Sequence, residues 1–391
     1  MKEILLTMTL LILAYTVQAQ QNKFKVLERN FIFPHQSLHV HGSSIVELPS
    51  GDLLSTWFEG SGERGSDDVK IMGAKYKQAT KRWGSPYVLA DTEGLPDCNP
   101  VLFMHRNKLF LVWIAVQANR WENSVLRFRR SAEFEGDEVK WEWQDNILLK
   151  PGDDFVAAVK ARFKELPPRN HAWAEYAPRY DAQIIQATED PTKRAFGWMT
   201  RIKPLILSSG RILLPVYSDG FNFSMIAFSD SNGESWNYSE PIVGRGNIQP
   251  ALIDNSKGEI VAYMRDSGDD PALLQQSVSK DQGKSWSVNK EFNVKSTASV
   301  DVLKLDRSNW ILLTNDNEEG RARLSLYQST DEGASWQSIG IIVEDKTKVG
   351  RFSYPAMIAD SKGSIHITYS HHKAPNSKSI EHVVIDRKSI Q

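Results

Sequence analysis

The sequence predicts an all-β protein, a six-bladed β-propeller with a partly helical insertion between blades two and three. Three observations predict it. The 391 residues include 12 Trp, 11 Tyr and 16 Phe beside 24 Gly and 17 Pro, a balance that suits strands joined by many turns. A turn motif, S-x-D-x-G-x-x-W, recurs at a fixed spacing. Six hairpin-like units follow one another at intervals of about fifty residues, the signature of blades that bury their faces against neighbours.

The units run in order over residues 44–58, 101–116, 204–217, 250–264, 300–314 and 355–369. Each has an apolar strand, a turn and a second apolar strand. Their turns read Pro49-Ser50-Gly51, Arg106-Asn107-Lys108, Ser208-Ser209-Gly210, Asn255-Ser256-Lys257-Gly258, Arg307-Ser308-Asn309 and Ser361-Lys362-Gly363. The turn motif is complete at 279–286 and 329–336, and the copy at 229–236 has Ser231 where Asp is wanted. Its logic is local: the Asp side chain caps backbone N–H groups, Gly takes a positive φ, and Trp packs beneath the turn. Trp236, Trp286 and Trp336 are therefore structural. Between the second and third units the interval doubles. The excess lies near 153–194, where 155–163 has helical composition and Pro167-Pro168 stops it. This segment reads either as an insertion folded over one end of the ring or as a surface loop.

Composition excludes several classes. With 47 basic and 48 acidic residues the net charge is -1, so the whole chain has no electrostatic footprint for nucleic acid. The start, with Lys2, an apolar run over 4–15 and small residues up to Ala19, reads as a signal peptide over 1–19. The expected product is secreted or periplasmic, with no membrane span once that segment is removed. The single Cys98 cannot form an intramolecular disulfide, and reads as a small buried residue in preference to a nucleophile. His35, His39 and His41, with His371 and His372 in the last blade, lack the thiols or carboxylate spacing of a zinc site, so no metal is expected. No phosphate-binding or dinucleotide motif is present, and no cofactor is expected.

The S-x-D-x-G-x-x-W turn is the Asp box, or BNR repeat, and over about 25–386 the chain resembles a sialidase-superfamily propeller. The runs at 41–54, 99–103 and 353–357 resemble the bacterial predicted-neuraminidase branch. Asp boxes specify fold more than activity. What the resemblance implies is a hydrolase of carboxylated sugars. Such sites use three Arg on the carboxylate, a Tyr nucleophile activated by a Glu, and an Asp acid/base. Arg suits a carboxylate because its planar fork binds bidentately and stays charged. A neutral Tyr avoids the repulsion that a carboxylate nucleophile would meet.

Carried over by position, the resemblance implies Tyr354 as nucleophile and Arg265 as one carboxylate ligand. Arg323 is the next ligand, with Arg321 as the alternative. Asp67 or Asp68 is the acid/base. Two positions depart from the pattern. His41 stands where the first Arg is expected, and could serve as a base or a donor. The stretch 246–250 holds Asn247 and Gln249 but no carboxylate, so the base for Tyr354 is absent; these two are read as substrate-binding. Both departures argue against an ordinary sialic acid substrate. Arg201, Lys203, Asn99, Asp301 and His171 are further rim candidates. The expected function is an exo-glycoside hydrolase removing a terminal acidic sugar from a glycan. The alternatives are a glycan-binding propeller without turnover, and a lyase on uronic acid-containing polysaccharide.

Overall fold

The computed structural model describes residues 22–168, 177–268, 271–317 and 319–390. The expected signal peptide and His171 lie outside them. Six antiparallel sheets of four or five strands form the blades of a ring. The innermost strands of blades one, two, four, five and six are His39–Glu47, Asp97–His105, Asn247–Asp254, Asp301–Lys304 and Arg351–Ala359; blade three begins with the short pair Met199–Thr200 and Leu205–Ile206. The second strands carry near-continuous apolar runs, such as Leu109 to Val116 and Ile311 to Leu313, because blades cover them on both faces. Ring closure is non-local. Lys25–Phe31 pairs with Ser377–Asp386 and becomes the outermost strand of blade six.

The Asp boxes lie on the turns between third and fourth strands, away from the ring's centre. In the box of blade five, Asp331 accepts bonds from the Ser335 amide at 2.9 Å and hydroxyl at 2.6 Å, and Ser329 Oγ accepts from the Gly333 amide at 2.8 Å. The blade-four box repeats this around Asp281. In the blade-three box Ser231 substitutes with its hydroxyl, accepting from Ser235 N at 2.8 Å. The box glycine has φ +81° in blade five, and a Cβ there would sit 2.0 Å from the Tyr263 hydroxyl of blade four. The box thus cements one blade to the preceding one.

The excess between blades two and three contains helices α1 (Asp153–Glu165), α2 (Ala177–Thr188) and α3 (Pro191–Ala195). Helix α1 buries Phe155, Val156, Val159 and Phe163 along one face. Phe155 meets Trp198, Phe221 and Phe223 at ring distances of 6.0–6.3 Å. The insertion is therefore packed into the main core. Among the described residues no helix is long and apolar enough to cross a membrane.

Candidate active site

Four innermost strands share one irregularity. Each carries one extra residue relative to its partner, between His41 and Ser44, Cys98 and Val101, Ile248 and Ala251, and Ser353 and Ala356. The bulged residue has positive φ in all four: Gly42 at 67°, Asn99 at 52°, Gln249 at 60° and Tyr354 at 57°. In three the next residue is Pro, at 100, 250 and 355. A bulge kinks the strand and re-aims a side chain, and left-handed non-glycine residues concentrate where function requires them. Asn99, Gln249 and Tyr354 accordingly line one central hollow. At the first bulge a Cβ on Gly42 would lie 2.8 Å from the Phe58 ring, so His41 takes the lining position there instead.

The hollow has a volume of about 760 Å³ and opens at the end of the ring where innermost strands begin. Tyr354 is its most constrained member. His41 stacks on the phenol ring at 4.1 Å, and the guanidinium groups of Arg201 and Arg321 lie 4.8 and 5.1 Å from the ring centre. The Gln249 amide nitrogen donates to the Tyr354 hydroxyl at 3.2 Å. Burial pushes the phenol's pKa up, but Arg321, Arg265 and the Gln249 bond together pull it below the ordinary value. Arg265, Arg321 and Arg351 all line the hollow. Among the described residues none of the three makes an ion pair. Burial lowers the Arg321 pKa; the phenol opposes this, while Arg265 and Arg351 add to it. Three guanidinium groups in one cavity, none in an ion pair among the described residues, favour a negatively charged group there.

Two carboxylates join them. Glu63 is half-buried in the lining, and burial raises its pKa against the pull of Arg64 and Arg321. Asp219 shifts the same way for the same first cause, against Arg265, though it is exposed to water within the hollow, which screens the effect. The histidines stay neutral. Burial, followed by His372 and Arg321, drives His41 well below its ordinary pKa, and its Nδ1 lies 2.8 Å from Ser370 Oγ. Burial takes His39 and His372 to about 4. The thiol of Cys98 is buried and pushed well up, chiefly by desolvation, which removes it as a nucleophile.

Of the residues singled out from sequence, the structure brings together Tyr354, His41, Arg265, Arg321, Gln249 and Asn99. Others stand elsewhere. Arg323 bonds Asp316 at 2.7 Å and approaches Glu344 at 3.7 Å, so the alternative, Arg321, is the one in the hollow. Asp67 and Asp68 are exposed and outside the lining. Asp68 accepts from Ser61 N at 3.0 Å, and Asp67 accepts from the Asn119 amide at 2.9 Å, which pins the loop that presents Glu63. Asn247 is buried behind the lining and donates to Ile242 O at 2.8 Å. Arg201 is buried too, donating to Ser43 O at 3.0 Å and Pro355 O at 3.1 Å; it buttresses the bulges from behind. Asp301 is held by Lys203 at 2.6 Å and the Met357 amide at 2.7 Å. Sequence reasoning missed Glu63, Asp219, Arg351, Tyr217 and Trp121. The first three are charged residues at loops or strand starts facing the mouth, the signal that could have found them.

The family described as BNR repeat-like domain matches residues 51–167 and 185–367. Among solved structures, a protein of unknown function from Dyadobacter fermentans has a TM-score of 0.67 at 14% identity, covering 93% of this chain and 99% of that one. The NanB sialidase from Streptococcus pneumoniae has a TM-score of 0.65 at 12% identity, covering 95% of this chain and 71% of that one. The leech intramolecular trans-sialidase has a TM-score of 0.66 at 12% identity, covering 93% of this chain and 71% of that one. At such identities the likeness speaks for the fold alone. No curated protein matches the sequence.

Proposed function

Because the chain belongs to the family of BNR repeat-like domains, we propose that it is an exo-glycoside hydrolase that removes a terminal carboxylated sugar from a glycan. The observation that carries this reading is the convergence of three guanidinium groups, none in an ion pair among the described residues, around a phenol whose proton is loosened. Arg265, Arg321 and Arg351 hold the sugar carboxylate. Where the anomeric carbon itself bears the carboxylate, as in an ulosonic acid, that places this carbon against the Tyr354 hydroxyl.

The reaction then runs in two steps. The Tyr354 oxygen attacks the anomeric carbon, its proton having passed to water in the hollow under the guanidinium field. The glycosidic C–O bond breaks, and Glu63 donates its proton to the departing oxygen. In the second step Glu63, now ionised, removes a proton from water. The resulting oxygen displaces Tyr354 and restores the starting configuration. Gln249 donates to the phenol oxygen and so supports its anionic form, but it cannot carry a proton away as a Glu would.

That last point favours a second reading, a glycan-binding propeller without turnover. One experiment separates the two. The purified protein is incubated with a panel of glycans ending in different carboxylated sugars. Released saturated sugar supports hydrolysis, and an unsaturated product would show elimination instead. Binding without release, with turnover gained in Gln249→Glu, would establish the binding reading. Arg265→Ala abolishes binding and release alike if the carboxylate site is correctly placed.

A further inference from the structure

The central hollow does not end at its own wall. A second recess of about 720 Å³ adjoins it and shares Trp121 and Asp219 with it. Its floor is the loop after the second strand of blade two, and its far wall is the insertion, through Thr192, Lys193 and Phe196. Three features mark it as built for a ligand of the sugar type. Phe196 is 40% exposed, an uncovered aromatic ring in its wall, where Phe155 and Phe163 of the insertion are buried in the core. Trp121 is half-buried at the junction, with the Arg64 guanidinium 5.1 Å from its ring centre. The turn that presents Trp121 holds two consecutive non-glycine residues at positive φ, Ala118 at 52° and Asn119 at 55°, a strain that surrounding structure must maintain.

The direction of the substrate follows from neighbouring residues. Glu63 lines the first hollow and Arg64 lines the second. The Asn119 amide donates to Arg64 O at 2.7 Å and to Asp67 at 2.9 Å, so the turn carrying this pair is tied to the turn carrying Trp121. On the reading that Glu63 protonates the departing oxygen, the bond to be cleaved sits at the junction. The leaving sugar then points past Trp121.

We propose that the second recess binds the leaving-group side of the substrate, so that the protein acts on the end of an acidic oligosaccharide chain and not on an isolated acidic sugar. The sugar next to the cleaved bond lies on the Trp121 ring, and the one after it reaches Phe196. Arg64 and Lys193 make no ion pair among the described residues, and their donors meet hydroxyl or carboxylate oxygens of the chain. A recess of this size accommodates a ligand of roughly drug size, two or more sugar units.

This rests on the proposed function, and the test separates the two. Titration calorimetry compares trisaccharides ending in N-acetylneuraminic acid, ketodeoxyoctonate or glucuronic acid with the methyl glycosides of the same terminal acids. Phe196→Ala and Lys193→Glu are tested beside the wild type; both are exposed positions outside the central hollow, and neither endangers folding. Phe196→Ala is expected to weaken the best-binding trisaccharide about tenfold while leaving its methyl glycoside within about twofold. Lys193→Glu is expected to weaken the trisaccharide selectively as well. Equal losses for both ligands, or no loss for either, would overturn the second recess while leaving the hub intact. If the wild type binds none of the six compounds, the carboxylate site itself is refuted, and the recess proposal with it.

Discussion

Replacing Arg321 and Arg323 separately tests the site most sharply, because two residues apart they have opposite surroundings. Arg321 faces the hollow with no ion pair among the described residues, and Arg265 and Arg351 repel its charge. In Arg321→Ala a bound carboxylate loses charge-assisted hydrogen bonds worth about 1.5–3 kcal/mol, which is about 10- to 150-fold in affinity. The free protein loses a like-charge repulsion together with the Arg321 contact to the Tyr354 ring, and the two offset, so its melting temperature should change little. Arg323 is one-third exposed and already paired with Asp316 and Glu344. Such a pair contributes about 0–1 kcal/mol, so Arg323→Ala should slightly lower stability and leave affinity within about threefold. Calorimetric titration with an acidic sugar, alongside thermal melting, reads both quantities. The reasoning fails if Arg323→Ala costs as much affinity as Arg321→Ala, or if Arg321→Ala lowers the melting temperature and spares binding.

Other expectations follow from the same geometry. Glu63→Gln should nearly abolish release from natural glycans but spare a 4-methylumbelliferyl glycoside, whose leaving group needs no proton; equal loss on both would remove Glu63 as the donor. Asp331→Ala deletes three bonds in an Asp box and should cost about 2 kcal/mol in urea unfolding, whereas Ser231→Asp, completing the imperfect box, should raise the unfolding midpoint. Burial holds His41, His39, His372 and His382 below their ordinary pKa. The unfolded chain therefore binds more protons below about pH 6.5, and stability is lost as pH falls from there towards 4, by up to about 1.4 kcal/mol per pH unit for each such group. A urea midpoint that stays flat between pH 7 and pH 5 would contradict this.

The ring was legible because its signals are local. An Asp box fits within eight residues, and a hairpin within sixteen. Closure was not legible, since the strand Lys25–Phe31 finds its partner more than 340 residues away. Tyr354, Gln249 and Asn99 could be located because each stands at the start of a blade's innermost strand. Arg321 and Arg323 differ by about 6–7 Å along a strand direction, and periodicity places both on the same face, so sequence could not choose. The resemblance pointed to Asp67 or Asp68 and left Glu63 unseen, because a loop's side-chain directions follow from its hydrogen bonds, here those of Ser61 and Asn119, and no repeat encodes these.

The four kinked strand heads have one further consequence. The same backbone geometry carries Gly42, Asn99, Gln249 and Tyr354, residues with nothing chemical in common. Three of them, Asn99, Gln249 and Tyr354, present their side chains to the hub and work as sockets where an exchange of side chain alters reactivity while the backbone kink is kept; at Gly42 the Phe58 ring leaves no room for one. New substrates can thus be acquired on this scaffold one socket at a time.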